Sequence, residues 1–181
     1  QFLVPVFHSI MSGEELAVSL LKWFNAAVAG DTKVLSSMIA DGFDVNTTDK
    51  NGHTALHRTC FQGKHEAVQL LLESSIDPTP KNNYGSTALH YASRNSLECT
   101  LLLLECPKCP IDATNKWKST ALHEAVISAK GDIVRTLLQH GADPSIQNNK
   151  GRTPEDLSGD ITKSIFEEHA WKWKKSKSAR N

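Results

Sequence analysis

Three imidazoles recur at one constant interval in this chain: His57, His90 and His123 are evenly spaced. A row of histidines invites metal coordination. So does Cys106-Pro107-Lys108-Cys109, whose C-x-x-C spacing can present two thiolates to zinc. Cys60 follows His57 closely enough to suggest a thiol nucleophile with its base. Trp171-Lys172-Trp173-Lys174-Lys175 is basic and aromatic, a composition suited to a membrane surface, nucleic acid or nuclear import.

Spacing argues against most of this chemistry. Histidines one repeat apart cannot share one tetrahedral ion with nitrogen bonds of about 2 Å. The cysteine pair is half of a closed zinc site, and only Cys99 or a distant histidine could complete it. A redox pair would open a helix, whereas here a helix ends and prolines flank the cysteines. No G-x-S-x-G, phosphate-cradling glycine loop or paired-carboxylate setting occurs. The expectation is therefore no catalytic residue, no metal and no cofactor. Five cations in the tail are too few to hold nucleic acid tightly by themselves.

The elements that carry these residues form a repeat. Thr54, Thr87, Thr120 and Thr153 share the interval of the histidines, and the first three open Thr-Ala-Leu-His; the fourth reads Thr-Pro-Glu-Asp. Asn51-Gly52, Tyr84-Gly85 and Lys150-Gly151 precede the threonines, and apolar clusters such as Val68 to Leu72 follow. Threonine caps a helix start, and a polar residue three positions on can answer it. Leu56, Leu89 and Leu122 then face inward, Ala92, Ala125, Thr59 and Cys60 keep the helix narrow, and Gly63 supplies a left-handed stop.

This pattern over roughly residues 14 to 170 resembles the ankyrin repeat, whose period and Thr-Pro-Leu-His-x-Ala motif it shares. The resemblance implies an all-α solenoid of stacked helix-loop-helix units joined by β-hairpin-like loops, with about three full repeats and two capping units. It also implies that the recurring histidine is a structural partner of the helix start. The expected organisation is a leader or cloning remnant at 1–10, a capping repeat at 11–48, and repeats at 49–81, 82–114 and 115–147. A closing unit at 148–170 and a basic tail at 171–181 follow. The opening helix starts near Glu14, and Ile161, Ile165 and Trp173 share a stripe on a closing helix.

Three departures stand out. Strict register puts Glu105 where Ile39, Leu72 and Leu138 sit, so a one-residue slip is expected, with a shortened turn before that helix and a bulged Cys106–Pro110 loop after it. Ser96 and Ala129 replace the Gly63 position and should strain or reshape those turns. Lys118 replaces the tip glycine of Gly52 and Gly85, which makes an irregular hairpin the expectation.

Bulk properties narrow the class. The 181 residues carry 20 basic and 20 acidic side chains, yet residues 171–181 hold five cations and no acid, so the body is acidic. An acidic body repels phosphates and argues against a nucleic-acid reader. No apolar run reaches the ~20 residues needed to span a bilayer. Four cysteines are too few for a secreted disulfide scaffold, which points to an intracellular, cytoplasmic or nuclear protein. Gln1 to Ile10 lack the basic start of a secretory signal, and Met11 follows them like an initiator.

What the resemblance implies for function is a non-catalytic scaffold or adaptor, as a monomer, that holds a protein or peptide on its concave face. That face comprises the hairpin tips and the exposed side of each first helix. Its residues here are Asn51, His53, Arg58, Phe61, Tyr84, Tyr91, Arg94, Trp117, Glu124 and Ile127. A peptide would anchor at Tyr84 and Trp117, with Arg58 and Arg94 meeting acidic side chains, unless Trp117 merely stiffens the adjacent hairpin. Alternatively, Tyr84, Tyr91, Trp117 and Glu124 form an aromatic cage for methylated lysine, which resembles ankyrin domains of some histone methyltransferases. A third alternative makes the chain the docking arm of a larger enzyme or regulatory protein.

Overall fold

The computed structural model describes residues 12–178, with side chains through His169. The leader at 1–10 lies outside the described residues, as do the side chains of Trp171 to Lys175. Four helix pairs follow one another: α1 Gly13–Ala29 with α2 Thr32–Ala40, α3 Ala55–Phe61 with α4 His65–Glu73, α5 Ala88–Asn95 with α6 Leu97–Leu104, and α7 Ala121–Ile127 with α8 Gly131–Gln139. A 3-10 turn, Glu155–Leu157, and α9, Asp160–Ser178, complete the order. Among the described residues there is no strand. The first helices α1, α3, α5 and α7 pack in one row, α2, α4, α6 and α8 in a second, and α9 closes on α8.

The Thr-Ala-Leu-His motif starts each inner helix and fastens it to the next unit. At all three copies the threonine N–H donates to its histidine Nδ1, at 3.2, 3.2 and 3.1 Å. The threonine hydroxyl also meets Nδ1, at 2.9 Å in each. With Nδ1 accepting, the ring proton sits on Nε2. His57, His90 and His123 donate it to the carbonyls of Ser86, Ser119 and Arg152, in the next unit along, at 3.0, 3.0 and 3.1 Å. Both ring nitrogens are thus committed to structure. All three histidines are buried, and burial lowers the pKa of His57 and His90 to about 4.

One continuous core runs through the stack. Leu56, Leu89 and Leu122 occupy equivalent inward sites and are at most 1% exposed. Leu71, Leu103 and Leu137 are each the seventh residue of their outer helices and fully buried. Leu103 reaches that site by a slip, standing one position nearer to Leu71, and one further from Leu137, than the repeat period dictates. Ser96 alone links α5 to α6: it ends one helix and caps the other by accepting the Cys99 N–H at 3.2 Å. Glu105 is left exposed. The loop Cys106–Pro110 contains the compensating residue, because Cys109 recovers the repeat register of Ile76 and Ala142.

Turn geometry splits the glycine replacements. Ala129 keeps the left-handed backbone of Gly63 (φ +53° against +66°), which a side chain opposes. Ser96 escapes it by adopting an extended φ of −135°. Lys118 corrects the expectation of an irregular hairpin. It accepts φ +56°, and its N–H reaches the Asn115 carbonyl at 2.9 Å, as Gly52 and Gly85 reach theirs at 2.8 Å. The hairpin keeps its form, at a cost of about 1 kcal/mol in backbone strain. On α9 the inward stripe is Thr162, Ile165 and Phe166; Ile161 is 68% exposed, so it does not share the inward stripe with Ile165 as expected.

Two stability outcomes follow from this framework. His57 and His90 bind protons less readily folded than unfolded, so falling pH favours the unfolded chain between about 6.5 and about 4. Urea denaturation should show their contribution constant above about pH 7 and declining below 6.5, by at most about 3 kcal/mol per histidine. Ala129→Gly should stabilise the fold by about 0.5–1 kcal/mol, read as a raised melting temperature.

Candidate functional site

The candidate site is the row of loop tips together with the outward side of α3, α5 and α7. Each tip is wound around an Asx residue that stands outside the Thr-Ala-Leu-His motif. Asp49, Asn82, Asn115 and Asn148 recur with the repeat period. The side-chain oxygen of each accepts backbone N–H groups two and four positions on, for example Trp117 at 2.9 Å and Ser119 at 3.0 Å onto Asn115. Three of these side chains also reach the following first helix: Asp49 to Arg58, Asn82 Nδ2 to Tyr91 Oη at 2.8 Å, and Asn115 Nδ2 to Glu124 Oε1 at 3.4 Å. Neighbouring tips are zipped by Asn83 N–H to the Asn51 carbonyl, Lys116 N–H to Tyr84 and Asn149 N–H to Trp117, at 2.9, 3.0 and 2.9 Å.

On this base sit three adjoining clefts, one per step of the stack. The first, about 150 Å³, is lined by His53, His57, Arg58, Phe61 and Tyr91. The second, about 210 Å³, lies among Tyr84, Tyr91, Arg94, Trp117 and Glu124. The third, about 320 Å³, has Trp117, Ile127, Lys150, Arg152 and Leu157 on its walls. Nine of the ten residues singled out from sequence therefore line clefts, and Asn51 supports them through its carbonyl.

Their roles differ. Phe61, Tyr84, Trp117 and Ile127 are 48, 46, 55 and 60% exposed. Trp117 does lie on the neighbouring hairpin, stacked on Tyr84 with centroids 6.3 Å apart and planes at 14°, yet more than half of it faces solvent. Phe61 meets Tyr91 edge to face at 5.8 Å. His53, by contrast, is only 8% exposed and works from beneath, with Nε2 3.3 Å from Tyr91 Oη and Nδ1 3.2 Å from Asp49. Burial lowers its pKa, and the Asp49 carboxylate opposes that shift. Arg58 and Arg94 are not free cations: Arg58 holds Asp49, and Arg94 Nε lies 3.7 Å from Glu124. Burial raises the Glu124 carboxyl, with Arg94 and Asn115 pulling the other way.

The thiols offer little chemistry. Burial pushes the Cys109 thiol up to about 12 and the Cys60 thiol well above its ordinary value, which removes thiolate character. Among the described residues no group of three or more His, Cys, Asp or Glu side chains could hold a metal ion. Nor is any described helix long and apolar enough to cross a membrane.

Comparison with known proteins agrees with the fold. The family pattern described as "Ankyrin repeats (3 copies)" matches residues 23–115, and "Ankyrin repeat" matches 117–149. The chain belongs to the ankyrin-repeat family. Similar relatives include SMC5-SMC6 complex localization factor protein 1 of Homo sapiens, 36% identical over 126 residues that make up 66% of this chain and 12% of that protein. The NF-kappa-B inhibitor cactus of Drosophila melanogaster is 27% identical over 143 residues, 72% of this chain and 27% of its own length. This ankyrin chain thus spans about an eighth to a quarter of these relatives. Ankyrin repeats are generally non-catalytic protein–protein interaction modules, and the regions matched here contain nothing else.

Asn115 tests whether the tips are held as described. Asn115→Ala frees the N–H groups of Trp117 and Ser119 and should lower unfolding stability in urea by about 2–4 kcal/mol. Lys116→Ala, one residue along and exposed, should change it by less than about 0.5 kcal/mol.

Proposed function

We propose that this chain binds a segment of another protein along the tip-and-first-helix face, the concave side of an ankyrin stack, with Tyr84 and Trp117 as anchors. The observation that carries the reading is the cluster of exposed Phe61, Tyr84, Trp117 and Ile127 over three adjoining clefts. Folding does not require these positions to be apolar, and aromatic groups gathered on a surface mark contact. Arg58 and Arg94 contribute by shaping the clefts, since each already holds a carboxylate.

A second reading has one observation in its favour: Tyr84, Tyr91, Trp117 and Glu124 line the same cleft, as a methyl-lysine cage would need. Arg94 lines it too and sets a positive charge beside Glu124, which weakens the pull on a ligand cation. The two readings part on matched peptides: a cage must hold a methylated lysine peptide more tightly than its unmethylated twin, whereas groove binding is indifferent to methylation.

Trp117→Ala should weaken a partner by at least ~1–2 kcal/mol while leaving the melting temperature within a degree or two, because the ring is half in solvent. Titration calorimetry and thermal denaturation of the same samples decide it. A collapse in stability without a specific loss of binding makes the tryptophan structural.

A further inference from the structure

Charge on the ankyrin stack is sorted by face. The four tip segments, 48–53, 81–86, 114–119 and 147–152, hold six cations: Lys50, Lys81, Lys116, Lys118, Lys150 and Arg152. Their one acid is Asp49, whose side chain is 13% exposed and already bonded to Arg58. All six cations are exposed, and Lys50, Lys116, Lys118 and Lys150 make no ion pair with any described residue. The tips therefore carry five positive charges in a chain whose net charge is zero, so everything else carries five negative. With the five cations of residues 171–181 set aside, the remainder stands at minus ten. On the helix side the same polarity holds: Arg94 is 51% exposed, while the Glu124 it pairs with is 16% exposed, so the cation faces out.

These cations stand around apolar floors. Lys116 and Lys118 flank Trp117 in sequence, and Lys150 and Arg152 share the third cleft with Trp117, Ile127, Leu157 and one carboxylate, Glu124, which is 16% exposed and paired with Arg94. A cleft with aromatic and aliphatic walls and a cationic rim fits a bulky apolar side chain next to a carboxylate. Helices packed in a row are spaced about 8–10 Å apart. A peptide in polyproline II form advances about 3.1 Å per residue with about three residues per turn, so side chains three apart share one face about 9 Å apart and reach successive clefts.

We infer that the ligand of this face is an acidic peptide segment with bulky apolar residues about three positions apart, its carboxylates meeting the tip lysines and its apolar groups entering the clefts beside Trp117. This rests on the concave-face reading above and adds the ligand's chemistry. Nucleic acid is also anionic, but one face of Trp117 is already taken by Tyr84, Ile127 and Leu157 suit aliphatic groups better than bases, and the acidic remainder repels a long polyanion.

The test is selection of short random peptides displayed on phage against the whole chain, followed by fluorescence anisotropy of the most enriched one. The enriched set should hold more Asp and Glu than Lys and Arg, with apolar residues about three apart. Trp117→Ala and the charge reversal Lys116→Glu/Lys150→Glu/Arg152→Glu should each weaken binding roughly tenfold or more, with unchanged circular dichroism and melting. Substituting Lys118 is avoided because of its left-handed backbone. Neutral or basic enriched peptides that still need Trp117 overturn the acidic assignment and leave the face intact. Peptides indifferent to both variants overturn the face itself. Failure to enrich any peptide, or tighter binding of a single-stranded oligonucleotide of similar length, overturns the inference.

Discussion

The neutral imidazole held at both ends is the constraint from which the rest of the structure follows. His57 accepts hydrogen bonds from its own threonine at Nδ1 and donates one from Nε2 to the carbonyl of Ser86; His90 and His123 do the same toward Ser119 and Arg152. One ring therefore starts a helix and sets the height of the next loop. The side chains of the second, third and fourth tips are placed relative to loops fixed in this way, so the spacing between those tips is inherited from the histidine row. The same bonding excludes metal chemistry at these rings, since neither nitrogen retains a free lone pair.

Much of this is legible in the sequence, and the parts that are not have physical reasons. Thr-Ala-Leu-His at a constant interval discloses the fold because each of its residues does something different, as cap, narrow packing surface, core and bolt in turn. The slip around Glu105 is visible because a carboxylate cannot occupy the site of Leu72 and Leu138. Lys118 reads as a source of irregularity, yet the Asn115 side chain and backbone together enforce the turn and override a modest backbone preference. The Asx row at 49, 82, 115 and 148 is equally periodic, but polar loop residues are common and carry no chemical signature alone. Ile161 and Ile165 look equivalent by helical spacing, yet Ile165 is buried and Ile161 is exposed where α9 closes on α8.

The candidate site is legible in position and not in role. Alignment of the repeats places Phe61, Tyr84, Trp117 and Ile127 on one face, and they are its exposed apolar members. It does not reveal that His53 is buried beneath Tyr91, or that Arg58 and Arg94 are already engaged. Those outcomes depend on which side chain lies opposite in the folded tip or on the neighbouring helix. The repeat frame fixes where side chains stand, and their local neighbours decide which remain available.

The zipper along the tips has a consequence for the largest of these side chains. Lys116 N–H and the Trp117 carbonyl are bonded to the tips on either side, and the Trp117 N–H to Asn115 beneath it. The backbone carrying the indole is thus immobilised on three sides before any ligand arrives, and Tyr84 supports one face of the ring. For the proposed ligand, little conformational freedom would be left to surrender on capture, and the contact would gain strength from rigidity as well as from area.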